Sequence, residues 1–122
     1  MLIARIILGV LALLILGTTL PAYLDTSANP GLAALTGEAA TLGSVAGLFL
    51  GRQLTIALIA VYGAIRGSRE PMLIGAFGLV FFNLHDAFFL TLAGTSVVGA
   101  VAGLVLAVAA GVVMLLTLRK AA

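Results

Sequence analysis

Two full charges, Arg52 and Asp86, stand inside long apolar stretches of the chain, with Gln53, Asn83 and His85 beside them. A charge at the bilayer centre costs about 2.5–3.5 kcal/mol on insertion scales, so it is rarely left without a partner. Arg52 lies about ten residues into its stretch and Asp86 about seven residues from the end of its own. At about 1.5 Å per residue the two come within roughly one helical turn of the same depth. An arginine stem bridges that difference. The spacing therefore predicts an ion pair between Arg52 and Asp86 across two helices. Asn83, three residues before Asp86, is placed to contribute to it. Gln53 points away from the glycines nearby and is placed to reach another helix or another protomer. His85 is turned about 100° from Asp86, so it either serves this layer or points sideways.

Two kinds of chemistry fit these residue types. An Arg–Asp pair neutralises itself and acts as a polar clasp between helices. With His85 beside Asp86, the same layer also suits an ion, proton or anion site. Haem ligation would need His85 from two protomers, because the chain has one histidine. Zinc would find one His and one Asp in reach, too few for a site. The sequence carries no Gly-rich phosphate loop, no exposed Ser/His/Asp arrangement and no metal-ligand repeat. No catalytic residue, metal or cofactor is expected, and the chain is not expected to be an enzyme.

The elements that must position this layer follow from composition. Of 122 residues, 63% are hydrophobic and 8% charged, against about 25% charged in a soluble domain. A chain this short has too little interior to hide so much apolar surface in water. A soluble enzyme, a nucleic-acid-binding domain and a disordered tail are thereby excluded. The basic pI, about 9.7, comes from six scattered basic residues rather than a patch, so no nucleic acid is expected as a partner. The absence of cysteine excludes disulfides and thiolate sites.

A membrane-crossing helix needs about 20 apolar residues. Four stretches qualify, at about 2–20, 41–65, 72–93 and 96–118. The expected fold is an all-α, single-domain integral membrane bundle of four transmembrane helices. Pro21 follows the first span, and Pro71 stops the second from running into the third. Gly94-Thr95-Ser96 suits a tight turn, with Gly94 closing one helix and Thr95 or Ser96 capping the next. A signal peptide is disfavoured, because the first run is long and Leu20-Pro21-Ala22 is a poor cleavage site. In the one long loop, 21–40, Asn29-Pro30 marks a helix start and Gly37 a stop. Residues 31–36 are then either a short interfacial helix dipping Leu32 and Leu35 into the headgroups, or an irregular loop.

Charge sets the expected orientation. Arg5, Arg66, Arg69, Arg119 and Lys120 fall on one side, while the loop on the other carries Asp25 and Glu38 and no basic residue. The positive-inside rule puts both termini in the cytoplasm, with loop 21–40 outside, in a bacterial cytoplasmic (inner) membrane. Small multidrug transporters have a similar length. They carry a glutamate in the first helix, and several insert both ways round, which requires little charge bias. This chain departs from them on both points.

Helices in lipid associate through close packing of small residues. Gly43, Gly47 and Gly51 recur every four residues in the second span, as do Gly99, Gly103, Ala107 and Gly111 in the fourth. Each series predicts a smooth stripe, for packing inside the bundle or between protomers. Phe77, Phe81 and Phe88 share one face of the third span, almost opposite Asp86. The phenylalanines are expected to face lipid or a partner, and Asp86 the bundle; core packing of the rings is the alternative.

Three short motifs carry a family likeness. Leu20-Pro21 ends the first helix ahead of a Gly-containing loop. Gly51-Arg52-Gln53-Leu54 lies in the second helix, before the Gly63-Ala64 and Arg66 exit. Asp86-Ala87 comes late in the third. In this order the chain resembles small four-helix bacterial membrane proteins loosely grouped as DoxX-like. The family often has Asp where Gln53 stands, a departure at that position. The resemblance implies a four-helix bundle and, from a few family members, a partner subunit of quinone-coupled oxidoreductases. The function expected is a non-enzymatic accessory or scaffold subunit, self-associating or packed in a larger membrane complex and surrounded by membrane lipid. The alternative is a small ion or solute transporter or channel using Arg52, Asp86 and His85.

Overall fold

The computed structural model describes residues 1–94 and 96–119, and among them the chain is all-helical. Thr95 and Lys120, assigned above to a helix cap and to the basic tail, lie outside the described residues. Four long helices follow one another: α1 (Leu2–Thr19), α2 (Val45–Arg66), α3 (Arg69–Ala93) and α4 (Val97–Arg119). Each of the four spans is long and apolar enough to cross a bilayer.

Consecutive helices run antiparallel, as their closest approaches show. Gly9 faces Ala64 across α1 and α2, Gly75 faces Ala60 across α2 and α3, and Gly103 faces Asn83 and Ala87 across α3 and α4. Helix α4 returns to α1 and closes the ring. Leu8 and Leu11 of α1, Ala60 of α2, Leu79 of α3 and Ala110 and Val113 of α4 form part of the buried centre. Large side chains point outwards instead, among them Leu13, Ile74, Phe77 and Val105. In water that distribution would be inverted. In lipid it costs nothing, because the tails are as apolar as leucine and small residues draw the backbones together.

The links between helices differ in detail from expectation. Gly67, at φ +64°, ends α2, and Pro71 sits inside the first turn of α3. The proline therefore does not stop a helix; it starts one, where its missing N–H would have had no partner anyway. Gly94 closes α3 at φ +64°, and Ser96 Oγ accepts from the Gly99 amide at 2.9 Å to open α4. Helix α2 begins at Val45 rather than near Thr41, because residues 41–44 form a turn.

Arg5 does more than carry charge. Its guanidinium donates to the Ala64 and Ile65 carbonyls, at 2.9 and 3.0 Å. These lie in the last turn of α2, where carbonyls lack helical partners and a cation is favoured. Arg5, Arg66, Arg69 and Arg119 thus gather at one end of the bundle, and Asp25 and Glu38 lie at the other.

At that second end, residues 31–36 are not a helix. The loop runs through 3-10 turns at Pro21–Tyr23, Thr26–Ala28 and Gly37–Ala40. Leu32 does not dip outwards; it is buried with Ala22, Ala46 and Leu50. Asn29 decides this, because its side chain bonds inwards and turns the chain at Gly31. A Cβ on Gly31 would lie 2.9 Å from the Phe49 ring.

Candidate functional site: a groove in the side of the bundle

At the loop end, the first half of α2 and the second half of α3 stand apart and leave a groove of about 920 Å³, open to the side. Arg52, His85 and Asp86 line it together with Gly51, Leu48 and Phe81. Towards the arginine-rich end the same helices close up. A Cβ on Gly63 would meet the Pro71 carbonyl at 2.6 Å, and one on Gly75 would meet the Ala60 backbone at 3.0 Å.

The predicted ion pair is absent. Among the described residues Asp86 has one ionisable partner, His85, with Nδ1 at 3.4 Å from Oδ1. Arg52 makes no hydrogen bond or ion pair among them. The depths do match. Arg52 follows Val45 by seven residues and Asp86 precedes Ala93 by seven, which puts each about 10 Å from the loop end of its helix. What keeps them apart is the groove itself, with the two groups on its opposite walls. Asp86 is directed sideways rather than into the centre of the bundle, with its side chain 34% exposed.

His85 also points sideways. Its ring stacks obliquely on Phe89 at 4.7 Å and lies 6.2 Å from Phe81, between ring centroids. Phe77, Phe81 and Phe88 are all exposed on the outer surface, as their shared face predicts.

Asn83 does not belong to this layer. It is buried against α4, where Gly103 leaves room for its carbonyl, and its Nδ2 donates to Leu79 O at 2.8 Å. Gln53 reaches another helix, and it is α1. Its Oε1 accepts from Asn29 Nδ2 at 2.6 Å and lies 2.8 Å from Thr19 Oγ1. Asn29 also donates to Thr18 O at 3.1 Å and accepts from the Gly31 amide at 2.9 Å. The Thr19 hydroxyl lies 2.7 Å from Ile15 O as well, so its single proton serves one acceptor at a time. The expected single layer is therefore three separate features: the groove, the Gln53 knot and the Asn83 contact.

The glycine stripes divide too. Gly43 precedes α2, Gly47 lies against the Leu42 carbonyl of its own approach turn, and a Cβ on Gly51 would meet nothing within 4 Å. Among the described residues, then, no other helix packs on Gly43 or Gly51 of this stripe. On α4, Gly99 and Gly103 pack on α3 and Ala107 is buried, whereas a Cβ on Gly111 would again meet nothing within 4 Å. Residue spacing did not single out Gly63 and Gly75, or the roles of Arg5, Thr19 and Asn29. The one available signal was Asn29-Pro30, which promised a turn or a helix start without saying which.

Among the described residues no three His, Cys, Asp or Glu side chains come together as a metal site. The groove offers one cation, one carboxylate and one imidazole to whatever lies beside the bundle. Comparison with protein-family models, curated proteins and solved structures finds no match.

Proposed function

We propose that the protein is a non-enzymatic accessory or scaffold subunit that works sideways, in the plane of the membrane. Both termini lie in the cytoplasm, with loop 21–40 outside a bacterial cytoplasmic membrane; the arginine-rich end supports that orientation. The carrying observation is the groove. It sets Arg52 and Asp86 on an outward face without pairing them, and charges at such a depth call for cover. A homo-oligomer or a larger membrane complex supplies it.

A transporter is the second reading, favoured by the adjacent His85 and Asp86 in an open groove. Conduction needs polar lining along a whole path. Beyond the groove the bundle centre is filled by apolar side chains such as Leu8, Met72 and Val113. The subunit reading stands first for that reason.

Native mass spectrometry of the chain, extracted gently from its own membrane without overexpression, tests the proposal. A stable oligomer or co-extracted complex is expected. A lone monomer, together with liposome flux abolished by Asp86→Asn, would replace it with the transporter.

A further inference from the structure

The groove carries its two opposite charges at one depth and on opposite walls. Arg52 lies on α2 and Asp86 on α3, each about 10 Å from the loop end. That arrangement is self-complementary. Take a second copy, inserted the same way up and turned by a two-fold axis along the membrane normal. Such an axis preserves depth and sets α2 of each copy opposite α3 of the other. Arg52 of one copy then meets Asp86 of its partner, and the same pair forms again across the axis. Equal depth is the condition for this, and the two helices satisfy it.

The surroundings fit the same partner. Gly51 has open space where a Cβ would stand, so a helix can come close there. Leu48 and Phe81 stand on the two walls, 67% and 63% exposed, and supply ridges that enter the facing groove. Each Arg52 gains a carboxylate and each Asp86 gains a donor, so no full charge at this level faces hydrocarbon.

We infer that the groove is the interface of a two-fold homodimer, closed by reciprocal Arg52–Asp86 pairs between the copies. This rests on the sideways-working subunit proposed above and names its partner as a second copy of the chain.

Charge exchange tests it, with dimer measured in nanodiscs or native membranes. Arg52→Glu alone and Asp86→Arg alone each set like charges together, and each is expected to weaken the dimer by about tenfold or more. Mixing the two variants restores opposite charges at both contacts, so the mixed pair is expected to dimerise like wild type. That rescue also shows that both variants fold. A separate readout needs no charge change. The chain has no cysteine, so Leu48→Cys copies are expected to cross-link to Phe89→Cys copies, which stand at about the same depth on the facing helix, while Val108→Cys copies on the exposed face of α4 are expected to cross-link to neither.

Several outcomes overturn the inference. One is a wild-type monomer. Another is single variants that dimerise normally. A third is rescue by the double variant in one chain but not by mixing, which would make the pairing internal. Loss of a co-purified phospholipid instead of the dimer would assign the groove to a lipid headgroup. A monomer co-extracted with a larger complex defeats this inference and leaves the subunit proposal standing. A dimer whose flux depends on Asp86 does the reverse.

Discussion

Asn29 donates a 2.6 Å hydrogen bond to Gln53 Oε1, tying the long loop to the middle of α2. The same amide holds Thr18 O and the Gly31 N–H. One buried side chain thereby joins α1, the loop and α2. Such a knot is stable because its buried side-chain polar atoms are partnered, and the cost of breaking it comes from the groups left behind.

Asn29→Ala is accordingly expected to destabilise the bundle by about 1–3 kcal/mol, the range for stranding buried polar groups. Asn29→Asp should be worse than Asn29→Ala, because it turns a carboxylate towards the Thr18 and Gln53 oxygens. Unfolding in detergent, titrated with a denaturing detergent, measures the order. Asn29→Asp as stable as wild type would remove the knot from the account.

The glycines divide by what a methyl group would meet. Gly63→Ala drives a Cβ towards the Pro71 carbonyl at 2.6 Å, a backbone clash expected to cost about 1–3 kcal/mol. Gly111→Ala meets nothing within 4 Å, so it should be neutral or stabilising by up to about 1 kcal/mol through helix propensity. Parallel thermal melts of the two variants decide the matter. Equal losses would mean that α4 is packed at Gly111 after all.

Arg5 closes the last turn of α2 with two hydrogen bonds. Its replacement by Ala is expected to cost about 1–2 kcal/mol, and Lys should recover only part, since an ammonium lacks the planar fork. Hydrogen exchange at residues 63–67 gives a local reading. Faster exchange confined to that turn is expected, and unchanged exchange would contradict the cap.

Asp25 supplies a pH prediction outside the four long helices. Its carboxylate accepts from the Ser27 hydroxyl at 2.7 Å and the Ser27 amide at 3.1 Å. Those bonds, the hydroxyl first, hold its pKa below the usual 3.8. A lowered value stabilises the folded loop above the unfolded pKa, and this is lost as pH falls below 3.8 through the folded value. An NMR titration of the Asp25 carboxyl should show the depression, and Ser27→Ala should bring the value back up. No change on Ser27→Ala would exclude the hydroxyl as the main cause.

How much was legible beforehand depended on the range of each interaction. The four helices were, because hydropathy over some twenty residues is a sum that no single contact overturns. The turn at Gly94 and Ser96 was legible for a similar reason, since left-handed backbone and N-cap chemistry are local. Pro71 misled because one residue type stops a helix and also starts one, and the outcome depended on Gly67 four residues earlier. Gly43, Gly47 and Gly51 left two outcomes open. A four-residue spacing defines a stripe but not what lies against it.

The sequence by itself determined four helices long and apolar enough to cross a membrane, the turn at Gly94 and Ser96, and the equal depth of Arg52 and Asp86, because helical rise converts residue number directly into height. Only the tertiary structure decided whether those two charges meet. Height says nothing of the lateral distance between helices, and that distance is set elsewhere. Gly63 and Gly75 draw α2 and α3 together at the arginine-rich end, while the loop pinned by Asn29 packs beside the other. The gap left between them turned an expected internal pair into an outward-facing groove.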